Sequence, residues 1–226
     1  MVMLNSANDS SVNLTISEVE ALTGVRRTLI NRIIDDGHFG ELWGLERNHG
    51  RRVLNLHHCV FVLFHVEAGK LLAPQARREV WFRYAERVDK HQIVSERSYL
   101  AGEDRCLIHF SESLSVDLSR HCRDIEERWR TLVRSRNEII SDPDVRGGAL
   151  VVGGTRIGVY EVAEVVEQVG VDEVLGIYPS LTREKVEAAV IYAKAHPRIG
   201  RPGKKPNELL NKAHLKSSRF VSRQVG

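Results

Sequence analysis

The sequence predicts a mainly α-helical protein with small β-hairpins, organised as two compact parts, a connecting segment and a basic C-terminal tail. Apolar residues recur at helical spacing along most of the 226 residues, and short runs of strand-forming residues flank glycine turns. Single domains usually hold about 100–200 residues, so this length suits one large or two small domains. We place the four parts at residues 12–90, 91–139, 140–196 and 197–226.

Composition excludes several classes of protein. Hydrophobic residues make up 42% of the chain and charged residues 28%, as in ordinary globular domains. The longest apolar run, 59–64, is too short for a membrane span, which needs about 20 residues. Residues 1–11 lack the basic and apolar regions of a secretory signal. Three cysteines without a CxxC pattern are typical of reduced thiols. We therefore expect a cytoplasmic protein that does not contact membranes.

The N-terminal part is predicted as two helices, a hairpin and two further helices. Ser17 and Glu20 fit a capping box that opens the first helix, and Gly24 ends it. A short glycine turn between two helices is the pattern of a helix-turn-helix, here followed by a hairpin as its wing. After Gly24, a helix is predicted over 25–36 and ends at Gly37. Strands over 39–44 and 51–56 follow, joined through 48–50. Two further helices are predicted over 56–68 and 74–88, and the second has Val80, Tyr84 and Val88 on one stripe.

The rest of the chain is interpreted in the same way. A hairpin is expected within 93–110, turning at 101–104. A helix over 118–139 follows, because apolar residues recur there at spacings of four and three, namely Leu118, Cys122, Ile125, Trp129 and Leu132. Strands over 149–152 and 155–157 flank the turn Gly153-Gly154. Helices over 160–168, 172–177 and 183–195 complete the C-terminal module, with a cap for the last helix within 180–182.

The second predicted helix has an apolar face and a polar face. At 100° per residue, Val25, Leu29 and Ile33 lie together, with Ile30 and Ile34 beside them. Arginine donates to guanine and asparagine pairs with adenine, so the polar face suits base recognition, and arginines of the hairpin suit the DNA backbone. A solvated face with ordinary surface arginines is the alternative. The candidate DNA contacts are Arg26, Arg27, Thr28, Asn31, Arg32, Arg47, Arg51 and Arg52.

Two segments resemble known families. Residues 14–37, with the hairpin after them, resemble the winged helix-turn-helix of the MerR and excisionase type. Several segments further along the chain resemble a small bacterial antitoxin domain. These segments are 141–148, Gly154-Thr155-Arg156-Ile157 with Val159, 166–171, 177–182 and 186–189. The sequence departs from that domain at Gly158, where proline is common, and at Ala149. The two-part order is similar to the larger VapB antitoxins of mycobacteria, which implies a PIN-like ribonuclease toxin as partner.

Charge is distributed unevenly along the chain. Residues 1–193 hold 24 basic and 29 acidic residues, whereas 194–226 hold nine basic residues and one acidic residue, Glu208. The C-terminal module, 141–193, holds four basic and nine acidic residues. Because DNA binding depends on neutralising phosphates, we assign this module to dimerisation or toxin docking rather than to DNA.

The tail, 197–226, has two specific interpretations. Apolar residues spaced among cations are typical of a segment that folds on binding, here around a toxin. The toxin-binding candidates are Arg201, Lys204, Lys205, Leu209, Leu210, Leu215 and Phe220. The other interpretation is an AT-hook within 200–206, which would insert arginine into a narrow minor groove. A merely solubilising tail is the third possibility.

No catalytic residue, metal or cofactor is predicted. His57, His58 and Cys59 are adjacent, so their side chains point in different directions on a helix, and no second ligand pair has suitable spacing. The leading hypothesis is a non-enzymatic type II antitoxin that binds a PIN-like ribonuclease toxin and, as a homodimer, the operator DNA of its own operon. The alternative is a MerR-like transcription regulator without a toxin partner.

Overall fold

A computed structural model describes residues 13–39, 47–48, 51–52, 54–69, 71–91 and 106–198. These residues form α1 (Ile16–Thr23), α2 (Arg27–Asp35), β1 (Arg47–Asn48), β2 (Arg51–Arg52), α3 (Leu56–Ala68), α4 (Pro74–His91), β3 (Leu107–Ser111), β4 (Leu114–Asp117), α5 (Ser119–Glu138), β5 (Ile139–Ile140), a 3₁₀ turn (Arg146–Gly148), β6 (Val151–Val152), α6 (Val159–Val169), α7 (Val171–Ile177) and α8 (Arg183–Ala195). β1 pairs with β2, β3 with β4 and β5 with β6, each antiparallel. The predicted class, mainly α with small β-hairpins, is confirmed.

The chain divides into two compact units, 1–129 and 130–226, and the division falls within α5. We call them the N-terminal unit and the C-terminal unit. The boundaries between parts predicted at residues 90, 139 and 196 rest on sequence pattern, whereas this division rests on contacts between residues. The predicted boundaries stay predictions.

The first helix begins two residues earlier than predicted. The Thr15 hydroxyl accepts a bond from the Glu18 N–H at 3.3 Å, and the Glu18 carboxylate accepts one from the Thr15 N–H at 2.8 Å. The capping box predicted at Ser17 and Glu20 is therefore wrong. The same spacing occurs twice in the sequence, and the bridge between Leu14 and Leu54 decides between them, because it holds Leu14 extended just before the helix. The predicted end at Gly24 is confirmed by its left-handed backbone, with φ of 71°.

α2 packs through a narrower apolar arc than predicted. Ile30, Ile33 and Ile34 are buried, whereas Leu29 is 38% exposed, so its assignment to the buried face is wrong. The helix also begins at Arg27 rather than at Val25. The buried arc is centred on the three isoleucines, which leaves the start of the helix in solvent.

Aromatic side chains form the core of the N-terminal unit. Phe39, Phe61, Trp81 and Tyr84 are all buried. The Phe61 and Trp81 ring centroids lie 4.8 Å apart, and the Trp81 indole donates to the Phe39 carbonyl at 2.7 Å. The predicted helix over 56–68 matches α3, and the predicted stripe of α4, which continues to His91, is buried as expected.

The middle of the chain contains a hairpin that the sequence did not predict. β3 and β4 turn at Glu112 and Ser113, with a bulge near Ser111, whereas the turn predicted at 101–104 lies outside the described residues. α4 holds this hairpin through arginines: Arg83 donates to the His109 carbonyl at 2.9 Å and Arg87 to that of Leu107 at 2.6 Å. The predicted stripe of α5 is buried except at Trp129, which is half-buried.

The C-terminal unit pairs its strands differently from the prediction. β6 pairs with β5, and 155–157 is not a strand, so the strand predicted there is wrong. The predicted glycine turn is present: Thr155 N–H donates to the Val152 carbonyl, and Val152 N–H to that of Ile157, both at 3.0 Å. The returning chain forms one isolated antiparallel bridge, between Val151 and Gly158, rather than a second strand. The Thr155 hydroxyl also donates to the Val152 carbonyl at 2.8 Å. Three helices, α6 to α8, surround a core made mostly of valines.

Candidate nucleic-acid interface

The N-terminal end of α2 presents predicted DNA-contacting side chains to solvent. Arg26 directly precedes the helix, and Arg26, Arg27 and Thr28 are all exposed. Asn31, one turn further, is half-buried, and Arg32 is exposed. In helix-turn-helix proteins the first residues of the second helix contact base edges. The structure therefore places three of the five α2 candidates together at the exposed start of the helix.

Arg27 is held by a carboxylate from the preceding helix. Glu20 on α1 accepts from the Arg27 Nε and Nη2 atoms, both at 2.9 Å, and from the Arg27 backbone N–H at 3.1 Å. A carboxylate at a helix N-terminus also satisfies a free backbone donor and the helix dipole. Glu20 thus caps α2 and orients Arg27 at once. The sequence predicted Glu20 as part of a capping box for α1, so this role was missed.

The C-terminal end of α2 is acidic. Asp36 lies 3.6 Å from the Arg32 guanidinium, and Asp35 is exposed beside it. Carboxylates repel DNA phosphates, so this end of the helix is the less suitable one for contact. Arg32 is therefore a weaker candidate than Arg26 or Arg27.

A hairpin is present near the predicted place, but its strands are Arg47–Asn48 and Arg51–Arg52. The strand predicted over 51–56 is too long, because Leu56 already begins α3, and the strand predicted over 39–44 has only Phe39, a turn residue, among the described residues. In the register of β1 and β2, Arg47 lies opposite Arg52 and Asn48 opposite Arg51. Three arginines thus meet in four paired positions, as the sequence predicts for a hairpin that follows a DNA backbone. Their side chains lie outside the described set, and so do all seven toxin-binding candidates, Arg201, Lys204, Lys205, Leu209, Leu210, Leu215 and Phe220.

The three C-terminal helices, α6 to α8, present carboxylates instead. The exposed acidic residues are Glu167, Asp172, Glu173, Glu184 and Glu187. Arg183, the first residue of α8, forms an ion pair with Asp172 on α7. This face is unsuited to a phosphate backbone, as its sequence composition predicts.

A polar network that the sequence did not reveal lies at the start of this unit. Arg146 has a left-handed backbone, φ 52°, and donates to Glu161 at 3.0 Å and to the Arg156 carbonyl at 3.3 Å. The Tyr178 hydroxyl donates to the other Glu161 oxygen at 3.1 Å. Burial and the neighbouring Glu161 carboxylate raise the Tyr178 pKa. No local pattern marks these residues, because they meet only when α6 and α7 fold against the turn at 146–148.

The histidine and cysteine run of α3 takes part in packing. His57 Nδ1 lies 2.9 Å from the Tyr84 hydroxyl, and Cys59 is fully buried. His58 contacts the Asn55 side chain, which caps α3. Among the described residues, no three His, Cys, Asp or Glu side chains come close enough to hold a metal ion.

Comparison with known proteins adds a family. The chain is 34% identical over 193 residues to "Uncharacterized protein y4eO" of Sinorhizobium fredii, strain NBRC 101917 / NGR234, and the alignment covers 83% of each protein. This chain belongs to the y4eO family. Residues 139–193, from β5 into α8, also match the family described as a protein of unknown function, DUF433. No solved structure matches the chain. No helix among the described residues could span a membrane.

Proposed function

We propose that this member of the y4eO family is a DNA-binding antitoxin of a type II toxin-antitoxin system. α2 and the β1–β2 hairpin bind operator DNA, and the C-terminal unit with the basic tail binds a PIN-like ribonuclease toxin. The observation that carries the DNA-binding part is the exposed cluster Arg26, Arg27 and Thr28 at the start of α2.

Geometry and charge support DNA as the ligand of this cluster. Ile30, Ile33 and Ile34 fix the opposite face of α2 in the core, so the orientation of the exposed face is set by packing. Glu20 holds Arg27 in place before any ligand binds, which lowers the conformational entropy lost on binding. A helix end that carries arginines suits the base edges and phosphates of a major groove.

The toxin-binding part is supported by charge and by the family match. The segment 139–193, similar to DUF433, coincides with the portion that resembles a small antitoxin domain. Its exposed face is acidic, whereas 194–226 hold nine basic residues and one acidic residue. PIN-like nucleases hold Mg²⁺ with clustered carboxylates, so a basic tail with apolar anchors complements such a site.

Footprinting of the DNA upstream of the gene tests the first part. We expect a protected site whose affinity falls steeply as salt rises, because phosphate contacts release counterions. If the chain binds as a homodimer, two half-sites about one helical turn apart are expected. Absence of any protected site, at low as well as at physiological salt, would contradict DNA binding by this chain.

Co-expression tests the second part. The toxin candidate is a small PIN-like reading frame beside the gene, and its absence would favour a transcription regulator without a toxin partner. Where it exists, the full chain should restore growth, and a chain that ends at His196 should not, while both bind the operator equally. Rescue by the shortened chain together with loss of DNA binding would favour the AT-hook interpretation of 200–206.

A further inference from the structure

Two buried thiols lie in direct contact where the β3–β4 hairpin meets α5. Cys106 directly precedes β3, Cys122 lies in the first turn of α5, and their Sγ atoms are 2.7 Å apart. Bonded sulfurs lie about 2.05 Å apart, whereas non-bonded carbon atoms, which are smaller than sulfur, settle at about 3.5–4.0 Å. The pair is closer than packing alone brings two side chains.

Backbone contacts hold the two cysteines in this position. The Cys106 carbonyl accepts from the Leu118 N–H at 2.7 Å, and the Leu118 carbonyl accepts from the Cys122 N–H at 3.0 Å. Leu107 pairs with Asp117 across the hairpin, next to the same contact. A bond between the sulfurs would therefore form across a junction that the backbone has already closed, with little movement of the main chain.

We propose that Cys106 and Cys122 form a reversible dithiol–disulfide site that reacts with hydroperoxides. One sulfur, as its thiolate, attacks a peroxide oxygen, the O–O bond breaks, and a sulfenic acid and an alkoxide or hydroxide result. The proton that this thiol released neutralises that anion. The second thiol then attacks the sulfenic sulfur, the S–S bond forms, and water leaves. Two thiols and one hydrogen peroxide thus give one disulfide and two waters, and a thiol reductant reverses the change.

The surroundings determine the rate and the consequence of this reaction. Cys106 and Cys122 are 3% and 2% exposed, so peroxide reaches them when the hairpin opens locally, more slowly than it reaches a surface thiol. The disulfide would then tie the hairpin, which Arg83 and Arg87 bind to α4, covalently to α5. In a reducing compartment such a bond is transient and reports oxidation.

Peptide mapping tests the proposal, because trypsin separates the three cysteines. Cys59 falls in peptide 53–70, Cys106 in 106–120 and Cys122 in 121–123. Full-length protein is treated with excess hydrogen peroxide, denatured, alkylated and digested. We expect 106–120 joined to 121–123, lighter than the two free peptides by two hydrogen masses, and 53–70 alkylated. Dithiothreitol before alkylation should restore both free peptides.

Two variants complete the experiment. Cys59→Ala removes the buried thiol of α3 and should leave the cross-linked peptide unchanged. Cys122→Ala should leave Cys106 as an alkylated thiol or a sulfur oxide, with no disulfide. If Cys122→Ala does not fold, the map of the unaltered chain decides alone. Alkylation of both 106–120 and 121–123 after peroxide treatment, or disulfides to Cys59 in comparable yield, would overturn the proposal.

Discussion

α2 in the N-terminal unit and α8 in the C-terminal unit begin in the same way. Each has an arginine at its first position, Arg27 and Arg183, and each arginine pairs with a carboxylate on the preceding helix, Glu20 or Asp172. The two pairs differ in shielding, since the Glu20 side chain is 27% exposed and that of Asp172 is 83% exposed. Exposed ion pairs contribute little, so the geometry of Arg27 is the better fixed of the two.

The residues that follow each arginine differ in charge. Thr28 and Arg32 are exposed on α2, whereas Glu184 and Glu187 are exposed on α8. Two helices joined by a short turn therefore do not by themselves determine which ligand the protein binds. The charges of the side chains on the exposed face determine it. The first face suits an anionic partner, and the second excludes one.

The two units also differ in what fills their cores. Phe39, Phe61 and Trp81 pack edge to face or tilted against one another in the N-terminal unit. Val162, Val165 and other aliphatic residues fill the core of the C-terminal unit. Removing a large ring leaves a larger cavity than removing two methyl groups. This contrast sets the largest of the expected effects.

Phe61→Ala should cost about 3–5 kcal/mol of stability in the N-terminal unit, because Phe61 is 1% exposed and contacts the rings of Phe39 and Trp81. Val162→Ala, at 0% exposure, should cost about 2 kcal/mol and only in the C-terminal unit. Hydrogen exchange followed by mass spectrometry reports both units in one chain. Equal loss of protection in both units from either change would show that they unfold together.

Acid should weaken the N-terminal unit through its buried histidines. Burial lowers the pKa of His65 to about 4; His38 and Arg77 add to this effect, and Asp36 opposes it. Burial and nearby arginines also lower the pKa of His38. The unfolded value is about 6.5, so between pH 6.5 and about 4 the unfolded chain binds more protons. Stability is therefore full above pH 6.5 and falls as pH drops through this window.

Tryptophan fluorescence measures this loss. The two tryptophans that the structure describes, Trp81 and Trp129, belong to the N-terminal unit, and Trp81 is buried. His65→Gln should flatten the dependence of the unfolding midpoint on pH between 6.5 and 4. An unchanged pH dependence in this variant would assign the acid effect to carboxylates instead.

Arg27→Ala should weaken operator binding by about 1–3 kcal/mol and relax the preference at one base pair. Arg183→Ala is its matched control, since it removes the equivalent ion-paired arginine from the acidic face. Gel-shift assays with both variants compare them directly. Equal losses would mean that these arginines act through folding rather than through DNA contact.

Glu20→Gln separates the two roles of Glu20. The amide still caps α2 but no longer pairs with the Arg27 charge, so we expect a smaller loss of affinity than Arg27→Ala gives, with selectivity reduced. A gain in affinity would indicate that Glu20 repels phosphates more than it positions Arg27.

Local sequence patterns correctly predicted those elements for which the sequence offers only one possible start or end. α3 begins and ends as the sequence indicated, with Asn55 as its N-terminal cap. The stripe of α4 is buried, as its apolar spacing predicts. The start of α1 was ambiguous, since two Ser/Thr-x-x-Glu spacings overlap and the contact from Leu14 to Leu54 selects one. A contact between residues 40 positions apart in the chain cannot be recognised from the local sequence.

The same reason explains what was missed at the candidate site. The exposed arginines of α2 follow from helical spacing, but the Glu20–Arg27 pair joins two helices through a turn whose angle the sequence does not state. The β5–β6 pairing was likewise hidden, because β5 consists of only two residues at the end of a long helix. Neighbours on one element were predictable, and partners across elements were not.

The smallest contrast concerns one glycine in each unit. Gly24 ends α1 with φ of 71°, which alanine adopts only with strain, although a Cβ there would meet no atom within 4 Å. Gly176 lies inside α7, with equally open space around it and an ordinary helical backbone. Gly24→Ala should therefore destabilise the N-terminal unit by about 1 kcal/mol, and Gly176→Ala should stabilise the C-terminal unit by roughly 0.5–1 kcal/mol. Thermal melts followed separately in each unit by hydrogen exchange would measure the two signs. Stabilisation by both changes would mean that the turn between α1 and α2 accepts a right-handed backbone at residue 24.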